Sequence, residues 1–98
     1  MGAMFNNAQR GANMAHTILR LPAVLQRRGR SRSSHYADIK AGLFVKPVLI
    51  GSRAIGTPES EVEALNAARI AGKPDDEIRA LVVKLEAARK LAVAGEPL

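Results

Sequence analysis

The 98-residue chain contains no cysteine and no tryptophan. Without cysteine there is neither a disulfide framework nor a thiolate metal site. Aromatics are scarce: Phe5, Tyr36 and Phe44 are the only ones, so any core must be built from small aliphatic side chains. The two histidines, His16 and His35, lack the i, i+4 pairing of an HExxH helix, and no metal or cofactor is expected. No apolar run approaches the roughly 18 residues of a membrane span, and the first residues lack the apolar centre of a signal peptide. A soluble cytoplasmic protein, not associated with a membrane, is the default expectation.

Acidic residues are almost missing from one half. Residues 1–56 carry nine basic side chains (Arg10, Arg20, Arg27, Arg28, Arg30, Arg32, Lys40, Lys46 and Arg53) against one acid, Asp38. Residues 57–98 carry six basic and eight acidic side chains, within a total net charge of +6. A basic first half suits a polyanionic partner, and a nearly neutral second half suits completion of the fold or contact with protein. Catalysis is not expected. Asp38 and the Glu59/Glu61/Glu63 cluster are the carboxylates worth inspecting, and the cluster fits a helix start better than an active site. No nucleophile–base pair or phosphate-cradling loop can be assembled.

The organising stretch is Ser31–Gly42. Ser31 is a good N-cap and Gly42 a good C-terminal stop, which predicts a helix of roughly three turns. On a wheel, His35, Tyr36 and Ile39 share one side, whereas Arg32, Ser33, Ala37 and Lys40 share a small, polar, basic one. Upstream, Leu21, Val24 and Leu25 give a second short helix, Leu21–Arg28, with Pro22 in its first turn and Gly29-Arg30 as the turn that follows. Two helices joined by a glycine-containing turn are a helix-turn-helix. Downstream, after Leu43-Phe44-Val45-Lys46, the two β-rich runs Pro47–Ile50 and Ala54–Gly56 flank Gly51-Ser52-Arg53 and read as a hairpin. After a helix-turn-helix such a hairpin is a wing. The predicted fold is therefore mainly α with a small β-hairpin, a winged helix-turn-helix, with Ile18 or Leu19 on a short edge strand.

Two further helices follow. One opens at Thr57–Glu63, capped by Thr57 with Pro58 at the first position, or by Ser60 with Glu63 as a capping box. Its inward residues are expected to be Val62, Leu65, Ala68 (or Arg69) and Ile70, with Gly72 ending it. The other spans Glu77–Ala92 with an apolar stripe of Ile78, Leu81, Val82, Leu85, Ala88 and Ala92, suited to packing on the domain or on a second chain. The domain plan is a disordered tail over 1–16, a winged helix-turn-helix over 17–72, a C-terminal helix over 73–93 and a frayed end over 94–98.

In this arrangement the basic residues of the helix-turn-helix and wing have expected tasks. Arg32 is best equipped to read a guanine edge, with Ser31, Ser33 and Tyr36 secondary, and Lys40 and Lys46 suit phosphate. Arg27, Arg28 and Arg30 lie where the first helix crosses the sugar-phosphate backbone, or else oppose its dipole. Arg53, at the wing tip, is expected on phosphate or in the minor groove rather than as a merely solvated turn residue. Arg10 is better read as part of a solvated tail than as an arm on DNA. His35 titrates near neutrality, but on an apolar helix face it reads as a hydrogen-bonded core residue rather than a pH switch.

The segments ILRLPAVLQRRGRSRSSHY, IKAGLFVKPVLIGSRAIG and ESEVEALNAARIA, between Ile18 and Ala71, together resemble the AlpA-type prophage regulatory proteins, relatives of phage excisionases and of MerR-like winged helix-turn-helix proteins. The resemblance implies a double-stranded DNA-binding transcriptional regulator of a prophage or mobile element, or alternatively an excisionase-like factor that bends DNA, with an integrase or other protein as partner. Departures from the family pattern are His35 in place of an apolar residue, Val45 in place of proline, and Thr57-Pro58 and Leu65 where tryptophans are common. The last two lighten the core. A protein-interaction reading, an adaptor or antitoxin acting through helix 77–92, is the other class, and the same helix is the expected site of homodimerisation or head-to-tail assembly on DNA.

Overall fold

The computed structural model describes residues 17–94, with side chains to Leu91. The expected tail over 1–16, including Arg10, and residues 95–98 of the frayed end expected over 94–98 lie outside the described residues. The elements run β1 (Ile18–Leu19), α1 (Leu21–Arg28), α2 (Arg32–Lys40), β2 (Val48–Leu49), β3 (Ile55–Pro58), α3 (Glu59–Ile70) and α4 (Asp75–Ala94). Four helices surround a three-stranded antiparallel sheet of order β1-β3-β2, the winged helix-turn-helix architecture with an added C-terminal helix.

The turn between α1 and α2 spans three residues because Gly29 adopts a left-handed conformation at φ 67°. The chain then doubles back, and the Arg30 N–H donates to the Leu25 carbonyl at 3.2 Å. Ser31 caps α2 as expected, its hydroxyl accepting from the Ser34 N–H at 3.2 Å. At the other end Gly42 lets the Leu43 N–H reach back to the Asp38 carbonyl at 2.8 Å.

The wing hairpin pairs Val48 with Gly56 and Leu49 with Ile55, and the Ile50 N–H donates to the Ala54 carbonyl to close its turn. β1 pairs on the other side, Ile18 opposite Pro58 and Leu19 opposite Thr57. Gly56 allows this close approach. A Cβ there would lie 2.5 Å from Ile18 Cγ2 and 2.9 Å from the Leu19 carbonyl oxygen.

Leu43–Lys46, between α2 and the wing, is irregular. It buries Phe44 and Val45, and side chains of α4 bind its backbone at Lys46. The Lys46 N–H donates to Glu86 Oε2 at 2.8 Å, and the Lys46 carbonyl accepts from Arg89 Nη2 at 2.7 Å. Arg79 Nε holds the Ala41 carbonyl at 2.9 Å, at the end of α2. Residues 79, 86 and 89 recur at helical spacing, so one face of α4 grips the path from α2 to the wing.

Neither expected cap opens α3. The helix begins at Glu59, which places Ser60 already within the first turn, and Thr57 is paired and buried in β3. The Glu59 N–H instead donates to the Thr17 carbonyl at 2.8 Å. Val62 and Leu65 point inward as predicted, but Ile70 is 87% exposed. Five residues beyond Leu65 it sits about 140° around the helix, on the outer shoulder. In α4, which starts two residues before the predicted Glu77, Ile78 and Val82 enter the core and Leu81 and Leu85 pack against it, whereas Ala88 is exposed. The core is thus Val24, Phe44, Val45, Val62, Leu65, Ile78 and Val82. Aliphatic residues from beyond Gly72 fill space that this tryptophan-free chain leaves open. Among the described residues no helix is long and apolar enough to cross a membrane.

Candidate nucleic-acid interface

Burial divides α2 into two faces. His35, at 2% exposure, and Asp38 are buried and Ile39 is half-buried, whereas Arg32, Ser33, Ala37 and Lys40 are exposed. Tyr36, assigned by the wheel to the His35 side, is 42% exposed and lies at the boundary, packing edge-on against His35. Ser31, also exposed, is occupied as the cap. Arg53 stands exposed in the wing turn, and Lys46 leads into the wing with its side chain outward.

The arginines at the end of α1 behave differently. Arg27 Nη1 donates to Glu59 Oε2 at 2.8 Å, tying α1 to the start of α3. The Arg28 side chain is only 6% exposed. It donates through Nη2 to Asp38 Oδ2 at 2.8 Å and through Nη1 to His35 Nδ1 at 2.9 Å, with its guanidinium carbon 4.0 Å from the Phe44 ring centroid. Arg30 closes the cluster with bonds to both Asp38 oxygens, 2.9 Å to Oδ1 and 3.1 Å to Oδ2, while remaining half-exposed. Asp38, the lone acid of the basic half, is therefore the pin that fastens the turn to α2. That singularity was the available signal for it, whereas its two partners required three dimensions.

The pin also sets ionisation. Burial pushes the Asp38 carboxyl up, but the hydrogen bonds and charges of Arg28 and Arg30 outweigh it and hold the group below its ordinary value. Burial, reinforced by the Arg28 charge, pushes His35 down. Because arginine is always a donor, Nδ1 must accept, so His35 is neutral with its proton on Nε2. His35 is thus a hydrogen-bonded core residue, set edge-on to Phe44.

A second internal pair was hidden in the glutamate cluster. Buried Glu61 takes bidentate bonds from Arg89, Nη2 to Oε1 at 2.6 Å and Nε to Oε2 at 2.9 Å, joining α3 to α4. After these pairings Arg20, Arg32, Lys40, Lys46 and Arg53 of the basic half remain exposed with no carboxylate within 4 Å among the described residues, as do Arg79, Lys84 and Lys90 on α4. The described residues hold no group of three or more histidine or acidic side chains placed to bind a metal.

No solved structure matches the chain. It is 42% identical over 56 residues to the "Uncharacterized protein ORF88" of Enterobacteria phage P4, an alignment covering 57% of this chain and 64% of that protein, so less than two thirds of the relative is spanned. Residues 17–70, from the lead into β1 to the end of α3, match the family described as "Prophage CP4-57 regulatory protein (AlpA)". The match takes in more than half of the chain and stops short of α4, and this protein therefore belongs to the AlpA family of prophage regulatory proteins.

Proposed function

We propose that the chain is a sequence-specific double-stranded DNA-binding regulator of prophage or mobile-element genes, with α2 in the major groove and the wing, residues 47–56, on the backbone or minor groove. The observation that carries this reading is the set of exposed, internally unpaired cations on the outer face of α2 and at the wing turn, on a fold whose neighbouring arginines 27, 28 and 30 are engaged by Glu59 and Asp38. Arg32, in the first turn of α2, reads a base edge, with Ser33 and Tyr36 beside it. Lys40, Lys46 and Arg53 contact phosphate. Arg28 and Arg30 contribute by setting the angle between α1 and α2 through Asp38, and Arg27 does so through Glu59.

Selection of bound molecules from a random duplex pool at moderate salt tests the reading. An enriched motif supports it, and the symmetry of that motif reports assembly, since a palindrome implies a two-fold dimer and direct repeats imply head-to-tail loading. Salt-sensitive retention without a motif would reduce the protein to a non-specific binder. Absence of retention would refute DNA binding.

A further inference from the structure

The wing carries more than a basic turn. Leu49 and Ile55 are directly opposed across the hairpin, so their side chains project from the same face. The other pair, Val48 and buried Gly56, faces inward. Leu49 is 75% exposed, and Ile55 and neighbouring Ile50 are also exposed. Leu49 is left largely uncovered by the described residues, whereas Ile55 at 38% and Ile50 at 39% keep a smaller open face. Ile55 also lines a small, mostly apolar pocket with Tyr36, Ile39 and Pro47, so the patch continues from the wing onto the edge of α2.

Charge and area select the occupant. Residues 43–58 contain Lys46 and Arg53 and no acid. The complementary surface must therefore offer apolar walls bordered by negative charge, which describes the sugar-lined minor groove between two rows of phosphates. A second protein chain fits less well. Two aliphatic side chains on a two-residue strand fall far short of the roughly 800 Å² per partner that a stable complex buries. We infer that Leu49 and Ile55 form an apolar wedge that enters the minor groove and bends the duplex, an inference that rests on the DNA-binding function proposed above.

Leucine and isoleucine inserted from the minor-groove side partly unstack a base step and kink the helix by roughly 20–90° toward the major groove. The bend is cheapest at flexible TA and CA/TG steps, so the wing adds sequence preference without reading a base edge. Arg53, four residues from Leu49 at the turn, holds the adjoining phosphates while the wedge is seated.

The test uses the full chain and an end-labelled duplex of about 30 base pairs recovered by the selection, or a mixed-sequence duplex with a central TA step if no motif is enriched. Energy transfer between the ends reports bending, and a salt titration reports phosphate contacts. Wild-type protein is expected to shorten the end-to-end distance. Leu49→Ser is expected to bind roughly tenfold more weakly, leave the duplex straight and keep the same salt slope. Leu49→Met, which preserves the apolar volume, is expected to keep the bend. Because Leu49 is so exposed, the serine variant leaves the core untouched. Binding without bending by the wild type, or equal bending by Leu49→Ser, overturns the wedge while sparing DNA recognition. If Leu49→Ser abolishes self-association in sedimentation and leaves the bend intact, the patch belongs to a second copy and the wedge is again refuted. Failure to bind any duplex overturns the underlying function together with the wedge.

Discussion

Replacing Asp38 by alanine is expected to destabilise the protein by about 3 kcal/mol. The carboxylate receives Arg28 in a setting where the two side chains are 6% and 11% exposed, and Arg30 where the guanidinium is 43% exposed. The Arg30 contact is open to water and screened, which limits it to roughly 0–1 kcal/mol. The Arg28 contact is different. Removing its partner strands a guanidinium between His35 and the Phe44 ring, and breaking a buried pair in this way costs about 3–5 kcal/mol. The lower end applies because the Arg30 side of the cluster is hydrated and lets solvent partly relieve the stranded charge. In thermal unfolding, each 1 kcal/mol corresponds to about 4–8 °C for a domain of this size, so Tm is expected to fall by about 12–24 °C. A double-mutant cycle with Arg28→Met isolates the coupling, which is expected to exceed about 1 kcal/mol. A loss below about 1 kcal/mol for Asp38→Ala, or a coupling indistinguishable from zero, would refute the claim that this pair fastens the helix-turn-helix.

The same cluster predicts acid sensitivity, measured as denaturant midpoint against pH. His35 is depressed in the folded protein, so the unfolded chain binds more protons below about pH 6.5; stability is full above that value and declines as pH falls through the window beneath it. Asp38, also depressed, adds a second loss as pH falls below its ordinary value of 3.8; a midpoint flat from pH 6.5 down to pH 4 would contradict the His35 assignment, and one flat below pH 3.8 the Asp38 assignment. Ile78→Ala empties a fully buried core position and is expected to cost about 2–5 kcal/mol by chemical denaturation; an effect under about 1 kcal/mol would show that α4 is not integral to the core. Gly56→Ala forces β1 away from β3 and is expected to destabilise by about 1–3 kcal/mol, with early hydrogen exchange at Leu19 as the local readout. On DNA, Arg32→Ala is expected to erase site preference, whereas Arg53→Ala weakens all duplexes alike and flattens the logarithmic salt slope by about one; equal losses for Arg32→Ala on selected and random duplexes would contradict its base-reading role.

Much of this protein follows from local chemistry. Ser31, Gly29 and Gly42 delimit the helix-turn-helix because a hydroxyl cap and left-handed glycines act within a few residues of themselves. The Gly51-Ser52-Arg53 turn similarly announces the hairpin. Segments that resemble AlpA proteins by sequence pointed to the same fold and family, and the matched range, 17–70, nearly coincides with them. The exposed basic face of α2 was equally legible, since helical periodicity sorts residues without reference to the rest of the chain.

Long-range satisfaction was not legible. Arg27, Arg28 and Arg30 look identical to Arg32 in a list of charges, yet their partners Glu59 and Asp38 lie across turns and helices. Nor did composition reveal that Leu43–Lys46 is a buried irregular segment, because the groups that satisfy its backbone, Glu86 and Arg89, come from forty or more residues downstream. Local pattern suffices for the helices, for the places of the turn and wing, and for the basic side of α2, all consequences of contacts within one or two helical turns. Packing in three dimensions sets which cations remain available to a partner, how a chain without tryptophan completes its core through α4, and that Leu49 is left facing outward beside a partly covered Ile55. Those outcomes depend on burial and on pairings between distant residues, which no local pattern records.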